Sequence, residues 1–270
     1  MTTTAETYSA ALSVSSRRSL GQFDAHGKLR RLAATELEAS EELLLRLALR
    51  APRALEWQTE LGAASYRFHT QSFAEQRRGL GDAALWGRYQ LLEESMPHEP
   101  PWPALSVAGL LRAPLGAVAS QQSSFGSGGV QLGLGTWELG GGVELQRSLG
   151  QVGLWWSAEF AYRLADQALG RPRKLGPRAD LLFGTNLPLA DWLSASASLA
   201  ARFVGEVSLS GHTLEGTGER LLSVAGALSA RDTARGFRSS VGLSLDPPFE
   251  GLSKNTTAAW ALNATLGFSR

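Results

Sequence analysis

The feature that most constrains this chain is a two-residue rhythm that persists far longer than a soluble strand needs. From Trp192 to Phe203, residues Leu193, Ala195, Ala197, Leu199, Ala201 and Phe203 alternate with Ser194, Ser196, Ser198, Ala200 and Arg202. Strict alternation puts one set on each face of an extended strand. The same rhythm runs through residues 152–164, 136–145, 105–111, 181–187, 222–228, 237–245 and 260–269, and through 8–14 and 55–63 nearer the start. Residues 29–50 are rich in Leu, Ala, Glu and Arg, which by intrinsic propensity favours a helix. The alternating phase from Ala33 to Leu49 favours a strand there instead.

These segments give about twelve strands, many of about 10–15 residues, against a usual strand of about 5–6. Length decides the class, because a strand tilted at about 45° needs about 9–11 residues to cross a bilayer. The connections alternate too. Long polar or glycine-rich segments (19–34, 67–80, 115–134, 166–178, 206–218, 247–255) take turns with tight ones at Pro52-Arg53, Leu149 to Gln151, Pro188 to Asp191 and Asp232 to Arg235. That is the order of outer loops and periplasmic turns in an outer-membrane barrel. The expected fold is all-β: a transmembrane, antiparallel, up-and-down β-barrel of about twelve strands, forming one domain over residues 1–270. Within it E-E-S-M-P-H-E-P-P-W-P, Glu93 to Pro103, stands where a short turn belongs. Its four prolines cannot join a ladder, which marks it as a periplasmic insertion.

Composition agrees. Only 19% of the 270 residues are charged and 30 are glycine, while the net charge of +1 offers no basic surface for nucleic acid. The absence of cysteine excludes disulfides and thiolate metal sites. No apolar run reaches the roughly 18–20 residues of a membrane helix, and the opening M-T-T-T-A-E-T shows no secretory signal. The expected location is nonetheless the outer membrane of a Gram-negative bacterium. The pairs Arg17-Arg18, Arg30-Arg31 and Arg77-Arg78 read as solvated loop tips.

Both soluble and membrane barrels alternate, so the polar face must decide which way the chain turns. Here that face carries Arg88, Arg112, Arg163 and Arg202 with Glu138, Glu144, Glu159 and Asp180, set among Gly, Ser and Ala, while Lys is rare. Arginine and carboxylates beside small neighbours suit an enclosed, hydrated network of paired charges. These eight are the candidates for a lumen constriction. Trp57, Trp137, Trp192 and Trp260 lie near strand starts, where interfacial aromatic girdles belong. The alternating strand that ends near Phe268 is similar to the closing strand read by the barrel-assembly machinery.

Two further stretches carry a resemblance. G-L-G-D-A-A-L-W-G-R-Y-Q-L-L (Gly79 to Leu92) and P-A-L-S-V-A-G-L-L-R-A-P-L-G (Pro103 to Gly116) resemble the outer-membrane transporter-like family labelled "meta-pathway of phenol degradation", over roughly residues 54–270. In that family a G-x-G-D turn opens a strand ending in R-Y, and the next strand ends in a P-x-G turn. The resemblance implies a barrel passing small, often aromatic, solutes, and it brings no catalytic residues.

Sites of other kinds are weaker. Gly79-Leu80-Gly81-Asp82 reads as a β-turn rather than a phosphate loop, since no Lys follows and no helix flanks it. Residues 125–135 read as a flexible loop. His26, His69, His98 and His212 fall in connections with no companion nucleophile or metal-ligand set. The reading is therefore a non-enzymatic channel for small, aromatic or hydrophobic solutes, with no cofactor and no metal. Its partners are outer-membrane lipid, the solute and the barrel-assembly machinery, with no nucleic acid. The alternatives are a non-conducting structural or adhesive barrel and, behind it, a lipid-modifying barrel hydrolase.

Overall fold

A computed structural model describes residues 8–33, 35–51, 55–69, 74–94, 102–115, 135–168 and 170–270. Twelve long strands follow one another: β1 (Tyr8–Phe23), β2 (Leu37–Ala51), β3 (Leu55–His69), β4 (Ala74–Leu92), β5 (Ala104–Ala113), β6 (Glu138–Leu149), β7 (Val152–Arg163), β8 (Arg178–Ala190), β9 (Leu193–Val204), β10 (Glu219–Asp232), β11 (Phe237–Asp246) and β12 (Thr257–Ser269). Each pairs antiparallel with the next, and β12 pairs with β1, so the sheet closes into an up-and-down barrel without an open edge. At this seam Tyr8 and Arg270 exchange backbone hydrogen bonds of 3.0 Å, Ser13 and Thr265 join hydroxyls at 2.9 Å, and the ring of Phe268 packs against those of Tyr8 and Phe237.

Burial is inverted relative to a soluble protein. Leu12, Leu47, Phe160, Val241 and Leu266 are about half exposed, whereas the buried apolar residues are chiefly alanines. The two-residue step turns these large side chains outward and leaves the polar series inside. An apolar outside around a polar lumen is the arrangement that lipid solvation selects.

The short connections, at Gly150–Gln151, Asp191–Trp192 and Thr233–Gly236, lie at the end of the barrel that carries Tyr8 and Arg270. The opposite end carries longer loops with structure of their own. Residues 29–31 add to the edge of β1, and four short strands at 166–168, 171–174, 208–209 and 212–213 join the loops after β7 and β9 in one small sheet. Of the proline-rich insertion, residues 95–101 lie outside the described residues. Its flanks are tied to β6: Glu94 accepts from Ser148 N at 2.6 Å and from Ser148 Oγ at 3.0 Å, and Arg147 donates to the Trp102 carbonyl at 2.8 Å.

Three local expectations are corrected. Gly79–Asp82 is not a turn but lies within β4. Leu61 faces Ala83 and Ala63 faces Leu80, so β4 carries one extra residue across that step, a bulge for which glycine suits as well as it suits a turn. Residues 67–69 and 74–80, expected in a loop, prolong β3 and β4, which places His69 at the end of β3. Arg17-Arg18 and Arg77-Arg78 are not loop tips, since they lie in β1 and β4 and alternation sends the members of each pair to opposite faces. His98 and residues 116–134 lie outside the described residues.

Candidate functional site

Register assembles the lumen. Across β5, β6 and β7 the pairing sets Arg112 opposite Glu138 and Glu138 opposite Arg163; across β7, β8 and β9 it sets Glu159 opposite Asp180 and Asp180 opposite Arg202. Glu138 is entirely buried. Its Oε2 accepts a hydrogen bond from Arg163 Nε at 3.0 Å, while Oε1 is held by charge contact alone, with Arg178 Nη1 at 3.0 Å and Arg112 Nη1 at 3.6 Å. Arg178 also meets Glu159 and, at 2.9 Å, Asp180, whose other oxygen takes Arg202 Nε at 2.7 Å. Four cations and three anions thus form one chain across five strands. Charges withdrawn from water in this way hold only while each keeps its partners.

The network is tied to the wall at the long-loop end. Arg163 Nη1 reaches the Gly176 carbonyl at 3.5 Å, and Gly205 N donates to the Pro177 carbonyl at 2.8 Å, one rung beyond Arg178 and Val204, which prolongs the β8–β9 ladder past the cluster. Arg88 and Glu144 form a separate pair at 3.2 Å, nearer the short turns, with Ser106 Oγ 3.3 Å from the same guanidinium nitrogen. So six of the eight lumen candidates meet in one cluster, and two meet in another.

Arg178 is the central cation of the cluster, yet the sequence, which places it where the 166–178 connection ends, did not put it among the lumen candidates. The available signal was its two-residue step from Asp180. Arg17 was likewise missed; in phase with Ser13 and Ser15, it points inward and donates to Asp246 at 2.6 Å. Tyr66 donates to Glu38 at 2.9 Å from the same region of the wall.

Among the described residues, cavities remain open in the interior, two of them sizeable. One of about 220 Å³ is bounded by Trp86, Arg88, Glu144 and Glu159 over a floor at Ala108 and Gly142. Trp86 packs on Ala84, Leu110 and Ala161, and its indole N–H is buried with no partner. The other, of about 140 Å³, lies along Ser196, Ser198, Ala227, Ser240, Gly242 and Asn263. Between them the Trp155 indole lies over Gly184, where any Cβ would strike the ring. Outside the barrel, Trp57 and Trp192 stand at the short-turn end, and Trp137 and Trp260 at the long-loop end, each substantially exposed.

No family model matches the sequence, and no curated protein matches it. Solved structures do. An outer membrane channel from Pseudomonas putida F1 superposes over 99% of this chain and 97% of its own, with a TM-score of 0.77 at 12% identity. The β domain of the Bordetella autotransporter BrkA matches over 98% of this chain and 100% of its own, with a TM-score of 0.55 at 14% identity. A mutant of the TodX monoaromatic hydrocarbon channel matches over 98% and 90%, with a TM-score of 0.52 at 10% identity. At such identities the likeness defines the fold, a closed twelve-stranded antiparallel barrel of the outer-membrane type.

Proposed function

We propose that this chain is a passive channel of the Gram-negative outer membrane for small, aromatic or hydrophobic solutes, within the family labelled "meta-pathway of phenol degradation". The observation that carries the reading is a barrel, apolar on its outer face, whose interior is only partly filled: space remains beside Trp86, Arg88, Glu144 and Glu159 and again along the serine- and glycine-lined strands. The fold of a Pseudomonas putida outer membrane channel over nearly the whole chain supports it, as does that of a protein described as a monoaromatic hydrocarbon channel. A barrel of eight strands is filled and one of about sixteen holds an aqueous pore, so twelve strands with one lean wall suit a narrow conduit.

In this reading Arg88, Arg112, Glu138, Glu144, Glu159, Arg163, Asp180 and Arg202 define the constriction. Trp57 and Trp192 anchor the periplasmic interface, Trp137 and Trp260 anchor the outer one, and residues 93–103 form a periplasmic excursion. Partners are membrane lipid, solute and, during biogenesis, the barrel-assembly machinery; no residue is assigned a catalytic role. Planar-bilayer conductance together with uptake of small aromatics into proteoliposomes tests the proposal. Discrete conductance steps and uptake faster than in protein-free vesicles are expected, and silence in both assays overturns it. The buried network around Glu138 favours a second reading, a filled and non-conducting barrel, which predicts that silence.

A further inference from the structure

The two arginine pairs divide between the faces of the barrel. Arg17 and Arg77 turn inward and find acids, Asp246 and Glu75. Arg18 and Arg78, one residue further along, face outward, and among the described residues neither has an acid partner. Arg67 on β3 faces outward as well.

Register fixes their height. The last fully apolar row on this side runs Val14, Leu43, Ala63, Leu80 across β1 to β4. The next row toward the long loops is Ser16, Glu41, Ser65, Arg78. The row after that is Trp260, Arg18, Ala39, Arg67, Gln76. Neighbouring strands lie roughly 4.8 Å apart, so three outward guanidinium groups rise from a patch on the order of 15 Å wide, immediately above lipid-facing residues and level with an interfacial tryptophan. Small residues separate them. Ser16, Ala39 and Ser65 stand between the longer side chains, Ala39 is buried beneath them, and Ser65 Oγ is buried there with no hydrogen-bond partner. The one acid, Glu41, stands 3.7 Å from Arg67 with both side chains about half exposed, a contact too solvated to neutralise the patch.

Cations projecting sideways at the headgroup level meet headgroups before they meet bulk water. A guanidinium grips phosphate through two parallel N–H donors. We propose that the outward face of β1 to β4 is a binding site for a phosphorylated glycolipid of the outer leaflet, with Arg18, Arg67 and Arg78 holding its phosphates and Val14, Leu43 and Leu80 lying against its acyl chains. The inference rests on the outer-membrane orientation proposed above, and it is independent of whether the lumen conducts.

The test uses the full-length barrel in detergent micelles, with binding followed by native mass spectrometry. Three probes are compared: bisphosphorylated lipid A, the same lipid stripped of both phosphates, and inorganic phosphate as competitor. Wild-type protein should prefer the phosphorylated lipid by about tenfold or more, and inorganic phosphate should compete weakly because it lacks the acyl anchor. The triple variant R18Q/R67Q/R78Q should lose that preference while keeping wild-type conductance and a heat-modifiable folded band. Equal affinity for the two lipids on wild-type protein overturns the proposal, even if the triple variant fails to fold. Unchanged binding by a folded triple variant overturns it too, and full competition by inorganic phosphate overturns the lipid as its source. Loss of conductance in wild-type protein would sink the channel reading alone.

Discussion

The interior has two walls built on opposite principles. From β5 to β8 the inward positions carry Arg112, Glu138, Arg163, Glu159, Arg178 and Asp180, packed until Glu138 has no contact with water. From β9 through β12 to β1 most of them carry Ser194, Ser196, Ser198, Ala225, Ala227, Ser240, Gly242, Asn263 and Ser13, with cavity left over. The strand geometry is the same in both. What differs is side-chain volume and charge: the first wall braces the barrel through its ion pairs, with space left only toward Trp86, and the second, in the proposed reading, lines the passage. A change should therefore cost stability on the first wall and permeability on the second.

The largest break is expected at Glu138. Glu138→Gln removes the one anion shared by three arginines, and leaving buried cations uncompensated costs about 3–5 kcal/mol. Urea unfolding from lipid vesicles, followed by gel mobility, should register a midpoint well below wild type. Next comes a paired test of facing. Val241→Arg puts a charge on the lipid face near mid-strand and should cost about 2–4 kcal/mol, whereas Ser240→Arg, one residue away inside the lean wall, should leave the midpoint nearly unchanged and cut single-channel conductance. Equal effects of the two would undo the assignment of faces.

A smaller effect is expected where the walls meet. Gly184→Ala forces the Trp155 ring off its glycine seat, an overpacking cost of about 1–3 kcal/mol, readable as a change in near-ultraviolet circular dichroism. The smallest stability effect belongs to Arg88→Gln. That pair is about one-third exposed and should contribute about 0–1 kcal/mol; its loss should instead change the cation-to-anion permeability ratio, and most clearly at low salt.

How far the sequence reached follows from the same physics. Lipid outside and polar groups inside force every residue of a strand to declare its face, so the phase of Leu193 to Phe203 and the inward set from Glu138 to Arg202 were legible from alternation alone. Partnership was not, because it depends on which strands adjoin and in what register. Nothing local says that Glu138 meets Arg178, 40 positions away and beyond a loop. The bulge at Gly79–Asp82 was hidden because a turn and a bulge ask the same of glycine. The arginine doublets misled for a simpler reason: neighbours in sequence are opposites across a sheet.

The seam between Tyr8 and Arg270 bears on how the molecule comes into being. Eleven of the twelve strand pairings join neighbours in the chain and can form as hairpins, each by closing a modest loop. The twelfth joins residues such as Ser13 and Thr265, 252 positions apart, and a contact that distant is slow to make. Until it forms, β1 and β12 present two unsatisfied edges in a solvent that tolerates none. Assembly should therefore accumulate an open sheet as its last intermediate, and changes at the seam should slow its disappearance more than changes anywhere else on the barrel.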